Sequence, residues 1–511
     1  MSTTDTATTD TAAAGSVPAG SVPAAGLPAP IDRERLSRRL FIGGRWVEGE
    51  QALTVVNPAD ESVICTVAAA SPADVDAAVA AARAAYEGPW SELSGAERGR
   101  LLTRVADLIE RDAELLAALE AVDIGKPVGQ ARALDVPNAA ATFQHFAGWA
   151  DKVGGQVIPT PGYFGRRTHS YTLRRPVGVV AAVVPWNSPL MIASWKLAPA
   201  LAVGNTVVLK PPEDAPLGLL HLARLFEEAG LPEGVVNVVP GLGPVAGEHL
   251  VRHPGVDKIS FTGSPVVGRR VAEYAARAFK PVTLELGGKS PQLVLPNADV
   301  EAAVEGCALG LFTNQGQVCA AGTRILVHRS HHARLVEGLA AAAERHVLGD
   351  PFAEGTTMGS LINAGQRDRV LGYVESAREE GARLVTGGGG PAGPGFFVRP
   401  TVFEGTNELR IAREEVFGPV GVVIPFDDTE EAVRLANDTS YGLAATLWTR
   451  DVSEAHLLAP RLRAGSVAVN GWAPLDAALP WGGVKDSGIG RELGWSGILA
   501  NTEETTVSIV L

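Results

Sequence analysis

The chain has 511 residues, of which 46% are hydrophobic and 20% are charged, and its formal net charge is −13. This length is too great for one ordinary core and predicts about two or three domains. The acidic balance argues against a nucleic-acid partner, which would need a basic surface, and no apolar run approaches the roughly 18 residues of a membrane helix.

The cysteines and the N-terminal segment favour a cytoplasmic protein. Cys65, Cys307 and Cys319 are too few and too scattered to form a disulfide framework. Residues 1–32 are rich in Thr, Ala, Gly and Pro and contain neither Lys nor Arg. This composition matches neither a secretory signal nor a transit peptide, so we expect a disordered tail.

Short strands and then helices are predicted for the first third of the chain. Strand-like runs alternate with turns over residues 41–68. Ser71 is a suitable N-cap, and Pro72 at the first helical position begins an alanine-rich helix that reaches Tyr86. Apolar residues then recur at helical spacing over residues 101–109.

The middle of the chain alternates apolar strands with helices, which predicts a parallel sheet covered by helices on both faces. The predicted strands are residues 179–184, 206–209, 235–239, 259–262 and 282–286. Ligands of such sheets bind beyond the carboxyl ends of the strands. A second alternating block runs from residue 290 past residue 465. Residues 505–511 form a final strand, which we expect to pair with another subunit.

Polar and glycine-bearing turns follow these strands. Glu213 comes after the strand at 206–209, where an acidic residue typically binds the adenosine ribose and would repel the 2′-phosphate of NADP. A solvated loop carboxylate is the alternative. Two turns compete for the pyrophosphate. The turn at 241–247 departs by one residue from the usual fingerprint, whereas the turn at 263–268 lies between a strand and a helix.

Three further residues are candidates for chemistry. Cys319 lies in a polar, glycine-containing loop, unlike the apolar surroundings of a core cysteine, and its thiolate would be the reactive form. Glu285 lies between two leucines at a strand end, where poor solvation favours proton acceptance; a structural, paired glutamate is the alternative. Asn187 follows the first strand of the parallel block and can donate to a developing oxyanion.

With these motifs in this order, the chain resembles the aldehyde dehydrogenase superfamily over residues 41–510. The matching motifs are PWN at 185–187, WKL at 195–197, KPPE at 210–213, FTGS at 261–264, ELGGK at 285–289, QGQVC at 315–319, EEVFGP at 414–419 and PWGG at 480–483.

The resemblance implies roles for individual residues. Cys319 corresponds to the nucleophile, Glu285 to the base and Asn187 to the oxyanion donor, with Lys196 near the base. Glu415 corresponds to the carboxylate on the nicotinamide ribose. The predicted residues of the NAD site are Pro185, Trp186, Lys210, Glu213, Gly243, Gly263, Ser264, Gly268, Leu286, Glu415 and Phe417.

The resemblance also implies an α/β fold with three domains. We expect a Rossmann-type dinucleotide-binding domain (33–155 and 177–287), a catalytic α/β domain (288–488) and a small β oligomerisation domain (156–176 and 489–511). A homodimer or homotetramer follows from it. NAD is favoured over NADP because of Glu213.

The implied reaction is oxidation of an aldehyde to the acid through a thioester, and Glu285 favours hydrolysis over transfer to coenzyme A. A thiol esterase would not need the cofactor residues. A non-catalytic relative would be expected to have lost a central group, and here none is missing.

The chain departs from the family at several positions. Ser188 replaces a frequent bulky or aromatic residue and should widen the substrate tunnel. Pro265 replaces a common Thr, and Trp481 a frequent Phe. Trp495 stands where many relatives have Glu, which puts a proton relay through that position in doubt.

The predicted substrate pocket consists mainly of apolar residues and contains no obvious cationic clamp, so a neutral aliphatic or aromatic aldehyde is expected. An amino- or betaine-type aldehyde, facing the Trp residues, is the alternative. No metal is expected, since His249 and His253 lack the Glu of a zinc-hydrolase motif. The pocket residues are Ser188, Met191, Ile192, Trp195, Val318 and Trp472.

Overall fold

A computed structural model describes residues 27–511 of the chain. The predicted disordered tail therefore lies, for residues 1–26, outside the described residues. Ser71 caps the first helix as predicted: its hydroxyl accepts a hydrogen bond from the Asp74 N–H, and the Asp74 carboxylate accepts one from the Ser71 N–H. This reciprocal pair satisfies two backbone donors at the helix start.

Helices make up the outer layers of the molecule. They are α1 Pro72–Glu87, α2 Pro89–Glu92, α3 Gly95–Arg111, α4 Ala113–Ile124, α5 Val128–Gln130, α6 Val136–Ala147, α7 Pro189–Ala202, α8 Leu217–Ala229, α9 Glu248–Arg252, α10 Pro265–Arg277, α11 Val300–Phe312, α12 His332–Glu344, α13 Ala364–Glu379, α14 Arg410–Arg413, α15 Thr429–Asn437, α16 Val452–Leu458 and α17 Gly494–Ala500.

Strands form two large and two small sheets. They are β1 Leu40–Ile42, β2 Arg45–Val47, β3 Gln51–Val56, β4 Val63–Ala69, β5 Val157–Ile158, β6 Thr168–Pro176, β7 Val179–Val183, β8 Thr206–Lys210, β9 Val236–Val238, β10 Lys258–Thr262, β11 Val282–Glu285, β12 Pro291–Val294, β13 Arg324–His328, β14 Arg383–Thr386, β15 Thr401–Glu404, β16 Val420–Phe426, β17 Ala444–Trp448, β18 Ser466–Val469, β19 Gly488–Ile489 and β20 Thr502–Val510.

Short turns of 3-10 or π geometry connect several of these elements. They are Arg33–Arg35, Ala131–Asp135, Gly243–Gly247, Thr313–Gly316, Arg329–His331, Ala459–Arg461 and Lys485–Ser487.

The larger sheet has eight strands in the order β19-β11-β10-β7-β8-β9-β1-β2. Its five central strands, β11 to β9, are parallel, and they are the five that the sequence predicts. Their apolar runs are buried on both faces because helices cover the sheet on each side. The carboxyl ends of β7, β8, β10 and β11 therefore meet at one edge, where the candidate residues lie.

The second large sheet has seven strands in the order β14-β15-β16-β13-β12-β17-β18, all parallel except β14. It corresponds to the second alternating block predicted from the sequence. The carboxyl end of α11 leads into the loop that carries Cys319, between β12 and β13 of this sheet. The loop is therefore fixed by one sheet and faces the carboxyl edge of the other.

The expected pairing of the last strand with another subunit stays a prediction, and within its own chain the strand already has one partner. β20 pairs antiparallel with β6 of the same chain over nine residue pairs, from Thr502 with Pro176 to Val510 with Thr168. With β5 they form a three-stranded sheet in which β20 is an edge. The strand is thus satisfied on one side within its own chain. Within residues 27–511, no helix combines the length and apolar character needed to cross a membrane.

Candidate active site

The loop that precedes Cys319 has an unusual, left-handed backbone conformation. Three consecutive residues, Asn314, Gln315 and Gly316, have positive φ angles of 50°, 56° and 70°. Left-handed backbone costs a non-glycine residue about 1 kcal/mol or more, so such a run persists only where its surroundings enforce it. At Gly316 a Cβ atom would collide with the Gly418 carbonyl. This position therefore requires glycine for space as well as for conformation.

Buried hydrogen bonds hold the loop to the turn that carries Asn187. The Asn314 Nδ2 donates to the Asn187 carbonyl at 2.8 Å, and the Asn187 Nδ2 donates to the Gln317 carbonyl at 2.9 Å. The Gln317 Oε1 accepts from the Ile362 N–H at 3.1 Å. Because each partner is buried, breaking one bond would leave a polar group unsatisfied. The candidate oxyanion donor and the candidate nucleophile are thus parts of one rigid unit.

The surroundings of Cys319 oppose ionisation of its thiol. Burial, and to a smaller extent the carboxyl groups of Glu415 and Glu285, raises the pKa of its thiol to about 12, although the backbone N–H groups of Ala320 and Cys319 oppose this. The thiol of the free protein therefore keeps its proton at neutral pH, and its activation requires a proton acceptor. All three cysteines of the chain are free thiols.

Glu285 has the properties expected of such an acceptor. It ends β11, is only 4% exposed, and neither carboxyl oxygen has a hydrogen-bond partner among the described residues. Burial, and then the nearby Glu492, raises the pKa of Glu285 well above its usual range, while Lys196 and Arg491 act in the opposite direction. An unpaired buried carboxyl group that lines the same cleft as a thiol is unusual unless it has a chemical role.

A second buried carboxylate, Glu492, stands behind Glu285 and escaped the sequence analysis. Its Oε1 lies 2.5 Å from the Lys196 Nζ and accepts a hydrogen bond from the Ser260 Oγ at 2.9 Å. Lys196, predicted to lie near the base, is thus bound to a different carboxylate. The only signal in the sequence was an acidic residue directly before an apolar one, which is too common to be informative.

This arrangement corrects the doubt attached to Trp495. Trp495 is 39% exposed and packs against Trp149, with ring centroids 5.2 Å apart. The carboxylate that acts on the base is Glu492, three residues before Trp495. The substitution at position 495 therefore leaves the buried network around Glu285 intact.

Two cavities meet at Cys319. One is a tunnel of about 630 Å³ and the other a cleft of about 190 Å³, and Asn187, Ile192 and Cys319 line both. A molecule in the tunnel and a molecule in the cleft would therefore both reach the sulfur atom.

The tunnel brings together all the predicted pocket residues. They are Ser188, Met191, Ile192, Trp195, Val318 and Trp472. The lining also includes Trp481 and charged groups that the sequence analysis missed, notably Lys126, Asp135 and Asp476. Lys126 is not free to bind an anion, because its Nζ lies 3.0 Å from both carboxylate oxygens of Asp135.

The cleft contains seven of the eleven predicted cofactor residues. They are Pro185, Trp186, Gly263, Ser264, Leu286, Glu415 and Phe417. Trp186 and Phe417 meet edge to face with centroids 5.3 Å apart, and Phe417 has a positive φ of 60°. Burial raises the pKa of Glu415 to about 7, opposed by the Gly288 N–H, which donates to it at 3.0 Å.

The cleft also includes Gln366 and Arg369, which the sequence analysis missed. Both act on the segment around Glu415: the Gln366 Nε2 donates to the Phe417 carbonyl at 2.7 Å, and Arg369 donates to the Glu415 carbonyl at 2.8 Å. They lie on α13, far from any motif. Their role is to hold a strained segment in place.

The remaining predicted cofactor residues lie outside the lining of the cleft. Lys210, Glu213 and Gly243 come together: the Lys210 Nζ is 2.9 Å from a Glu213 oxygen, and the Gly243 N–H donates to the other at 3.5 Å. Burial raises the pKa of Glu213, but Lys210 more than offsets this and the net shift is downward. Gly268 packs against Leu286, and a Cβ there would lie 2.5 Å from the Leu286 side chain.

No group of three or more His, Cys, Asp or Glu side chains within residues 27–511 is arranged to hold a metal ion. His249 and His253, which lack the Glu of a zinc-hydrolase motif, share a carboxylate partner instead. Both rings contact the Asp76 carboxylate, at 2.6 and 3.2 Å, which links α9 to α1.

The fold and the site define a class of protein: a two-sheet α/β protein with a dinucleotide-type sheet and a half-buried thiol where two cavities meet. Comparison with known proteins narrows this class. A model of the aldehyde dehydrogenase family matches residues 46–507. Aldehyde dehydrogenase, cytosolic 1, of Mus musculus is 46% identical over 477 residues, covering 92% of this chain and 94% of its own.

Solved structures of aldehyde dehydrogenases have the same fold as this chain. An NAD+ complex of aldehyde dehydrogenase from Bacillus cereus superposes with a TM-score of 0.91 at 46% identity, covering 93% of this chain and 96% of that one. A complex of Pseudomonas syringae indole-3-acetaldehyde dehydrogenase with NAD+ and IAA gives 0.91 at 42% identity, covering 93% and 97%. The chain belongs to the aldehyde dehydrogenase family. The predicted family, α/β fold and NAD-dependent aldehyde-oxidising type of enzyme are confirmed.

The high pKa of Cys319 predicts how the free enzyme reacts with iodoacetamide. Because the pKa lies near 12, the thiolate fraction and the alkylation rate of Cys319 should rise about tenfold per pH unit between about pH 7 and pH 9. Peptide mass spectrometry would follow the modification, with Cys319→Ala as the background control. A rate that levels off near pH 8 would contradict this assignment.

Proposed function

We propose that this protein oxidises a neutral aliphatic or aromatic aldehyde to the carboxylic acid, with NAD as oxidant and a thioester on Cys319 as intermediate. The observation that carries the proposal is the position of Cys319 at the meeting point of the tunnel and the cleft. The tunnel suits the aldehyde because its predicted lining is mostly apolar. The cleft, with its strand-end turn and carboxylates, suits the cofactor.

The cleft and the neighbouring ribose corner fit NAD. Between β10 and α10, the Gly263–Ser264 turn presents the start of a 13-residue helix, whose backbone N–H groups favour a pyrophosphate. Glu415 would hold the hydroxyls of the nicotinamide ribose, and Lys210 with Glu213 those of the adenosine ribose. Glu213 is ionised at neutral pH, so it would repel the 2′-phosphate of NADP. When bound, NAD accepts the hydride that leaves the aldehyde carbon.

The first half of the reaction builds the thioester. Glu285 accepts the thiol proton, and the Cys319 Sγ forms a bond to the carbonyl carbon. The carbonyl oxygen becomes an oxyanion, which the Asn187 amide and the Cys319 N–H stabilise; one such donor is worth about 10²–10³ in rate. Re-formation of the carbonyl as hydride departs leaves an acyl group on sulfur.

The second half hydrolyses the thioester. Glu285 first releases the thiol proton to solvent and is ionised again. It then takes a proton from a water molecule, whose oxygen attacks the acyl carbon, and it returns this proton to the Cys319 sulfur as the acid leaves. Only the ionised carboxylate can act in this way. Because the pKa of Glu285 is raised, its ionised fraction grows as the pH rises through that pKa, and deacylation should accelerate accordingly.

The charges in the tunnel favour a neutral substrate. Lys126 is the one Lys or Arg side chain among the described lining residues, and its ammonium group is paired with Asp135. Asp476 leaves the lining with an excess of negative charge, which disfavours a substrate carboxylate. The same charge and the indole rings support the second candidate, an amino- or betaine-type aldehyde.

The assembly and location of the enzyme are part of the proposal. The sheet of β5, β6 and β20 ends in an edge strand, β20. The sheet exposes Val157 and Ile509, and the loop between β5 and β6 exposes Phe164. Residues 156–176 and 489–511 would thus act as an oligomerisation domain beside the cofactor domain (33–155 and 177–287) and the catalytic domain (288–488), giving a homodimer or homotetramer. The cytosolic relative supports a cytoplasmic location.

Replacing the base should separate the two half-reactions. In Glu285→Gln we expect a burst of about one NADH per subunit that is slower than in the unchanged enzyme, because the thiol has lost its proton acceptor. Turnover after the burst should be about 10²–10⁴ slower than in the unchanged enzyme, since acyl transfer to water also lacks its base. Stopped-flow absorbance would record both phases. Glu110→Gln, an exposed change on α3, is the matched control, and Cys319→Ala should show neither phase. Normal steady-state turnover in Glu285→Gln would rule out this role.

The charge of the substrate should determine the order of kcat/KM among the aldehydes. We expect kcat/KM for hexanal and benzaldehyde to exceed that for succinate semialdehyde by about tenfold or more, because the carboxylate would be buried without a free cation. NADH formation without coenzyme A, at matched NAD, gives the ranking. Preference for succinate semialdehyde would refute the neutral-substrate proposal, and preference for betaine aldehyde would establish the second candidate.

A further inference from the structure

Ser188 occupies an unusual place at the start of α7. It is the N-cap residue of that helix, yet its hydroxyl makes no capping bond. It is 6% exposed and lines the substrate tunnel directly beside Asn187. Since serine at this position normally satisfies the first turn of the helix, the hydroxyl is free for another use.

The partner of this hydroxyl is a buried cation. The Lys126 Nζ donates to the Ser188 Oγ at 3.2 Å and to both oxygens of Asp135 at 3.0 Å, which accounts for all three of its N–H groups. Lys126 and Asp135 are 1% and 3% exposed. The ammonium group fixes the Ser188 oxygen in place and cannot itself turn toward a substrate.

The hydroxyl proton of Ser188 has no acceptor among residues 27–511, because the bond from Lys126 is the only one this side chain makes there. A hydroxyl that accepts a bond from a cation is polarised and becomes a stronger donor. Trp195, Trp472 and Met191 surround the same tunnel with mostly apolar surface. An unpaired donor in such a setting is costly until a ligand supplies an acceptor.

We propose that Ser188 is a specificity-determining residue that donates a hydrogen bond to a neutral oxygen on the substrate, selecting aryl aldehydes that carry an ether or hydroxyl substituent. This inference rests on the proposed function. The indoles of Trp195, Trp472 and Trp481 favour a flat ring over a flexible chain. An ether oxygen is favoured over a carboxylate because the Ser188 donor is neutral and Asp135 already neutralises Lys126.

The experiment compares methoxybenzaldehydes with ethylbenzaldehydes, ring position by ring position. The two substituents have nearly the same shape, but only methoxy accepts a hydrogen bond. For the best isomer we expect the unchanged enzyme to favour methoxy over ethyl by about fivefold to tenfold in kcat/KM. In Ser188→Ala this ratio should fall to about one, mainly through a higher KM for the methoxy compound.

Two further variants separate the donor from general effects on packing. Ser188→Thr keeps the hydroxyl and should retain the methoxy preference. Ser194→Ala, on the same helix, removes a hydroxyl that donates to the Met191 carbonyl outside the tunnel lining, and should leave the ratio as it is. Using a ratio of two substrates cancels any loss of folded enzyme.

The possible outcomes separate the role of Ser188 from the proposed aldehyde oxidation. Oxidation of ethylbenzaldehyde with a methoxy-to-ethyl ratio near one in the unchanged enzyme overturns the role of Ser188 but leaves the proposed function standing. A preference that survives in Ser188→Ala overturns it as well. Failure to oxidise any of these aldehydes, or hexanal, overturns the proposed function together with this inference.

Discussion

The hydrogen bonds between Asn187, Asn314 and Gln317 are the constraint on which the site depends. They tie the carboxyl end of β7 in one sheet to the loop after α11 in the other. The loop carries three left-handed residues in succession, and this conformation would relax if its partners were absent. Because these hydrogen bonds are buried, the thiol and the oxyanion donor keep their relative position before any ligand binds. This is the preorganisation that electrostatic catalysis requires.

Burial of the ionisable side chains is the second constraint on the site. Burial is the largest cause of the raised pKa of Cys319, of Glu285 and of Glu415. In the free site it therefore favours the neutral, protonated form of each group. Near the base, Lys196 and Glu492 form an ion pair whose two charges act in opposite directions: Glu492 raises the pKa of Glu285 further, and Lys196 lowers it. A centre of this kind binds a neutral aldehyde without repulsion and becomes charged only as the reaction proceeds.

Local sequence was sufficient for the features that depend on local structure. The five central strands, the cap at Ser71, and the candidates Cys319, Glu285 and Asn187 all follow from apolar runs and from the turns that end them. Features set by distant parts of the chain could not be read in this way. Lys196 and Glu492 are 296 residues apart, and β20 finds its partner in β6, more than half the chain away.

The pairing of Lys126 with Ser188 illustrates the same limit, since nothing near position 126 indicates that its ammonium group is buried beside the tunnel. A charged residue in sequence is normally a surface residue, and only the packing of α4, the Ala131–Asp135 turn and α7 reverses that expectation here. The apolar residues of the substrate pocket and Ser188 were therefore predicted, whereas its charged residues were missed.

The claim that Cys319 is where aldehyde and cofactor chemistry meet can be tested by identifying the acyl group directly. The enzyme would be mixed with NAD and benzaldehyde, quenched in acid during turnover, digested and examined by peptide mass spectrometry. The account predicts a benzoyl group on the peptide that contains Cys319, present only when NAD is included. NAD-dependent oxidation with the benzoyl group on another residue, or with no acylated peptide even in Glu285→Gln, would contradict it.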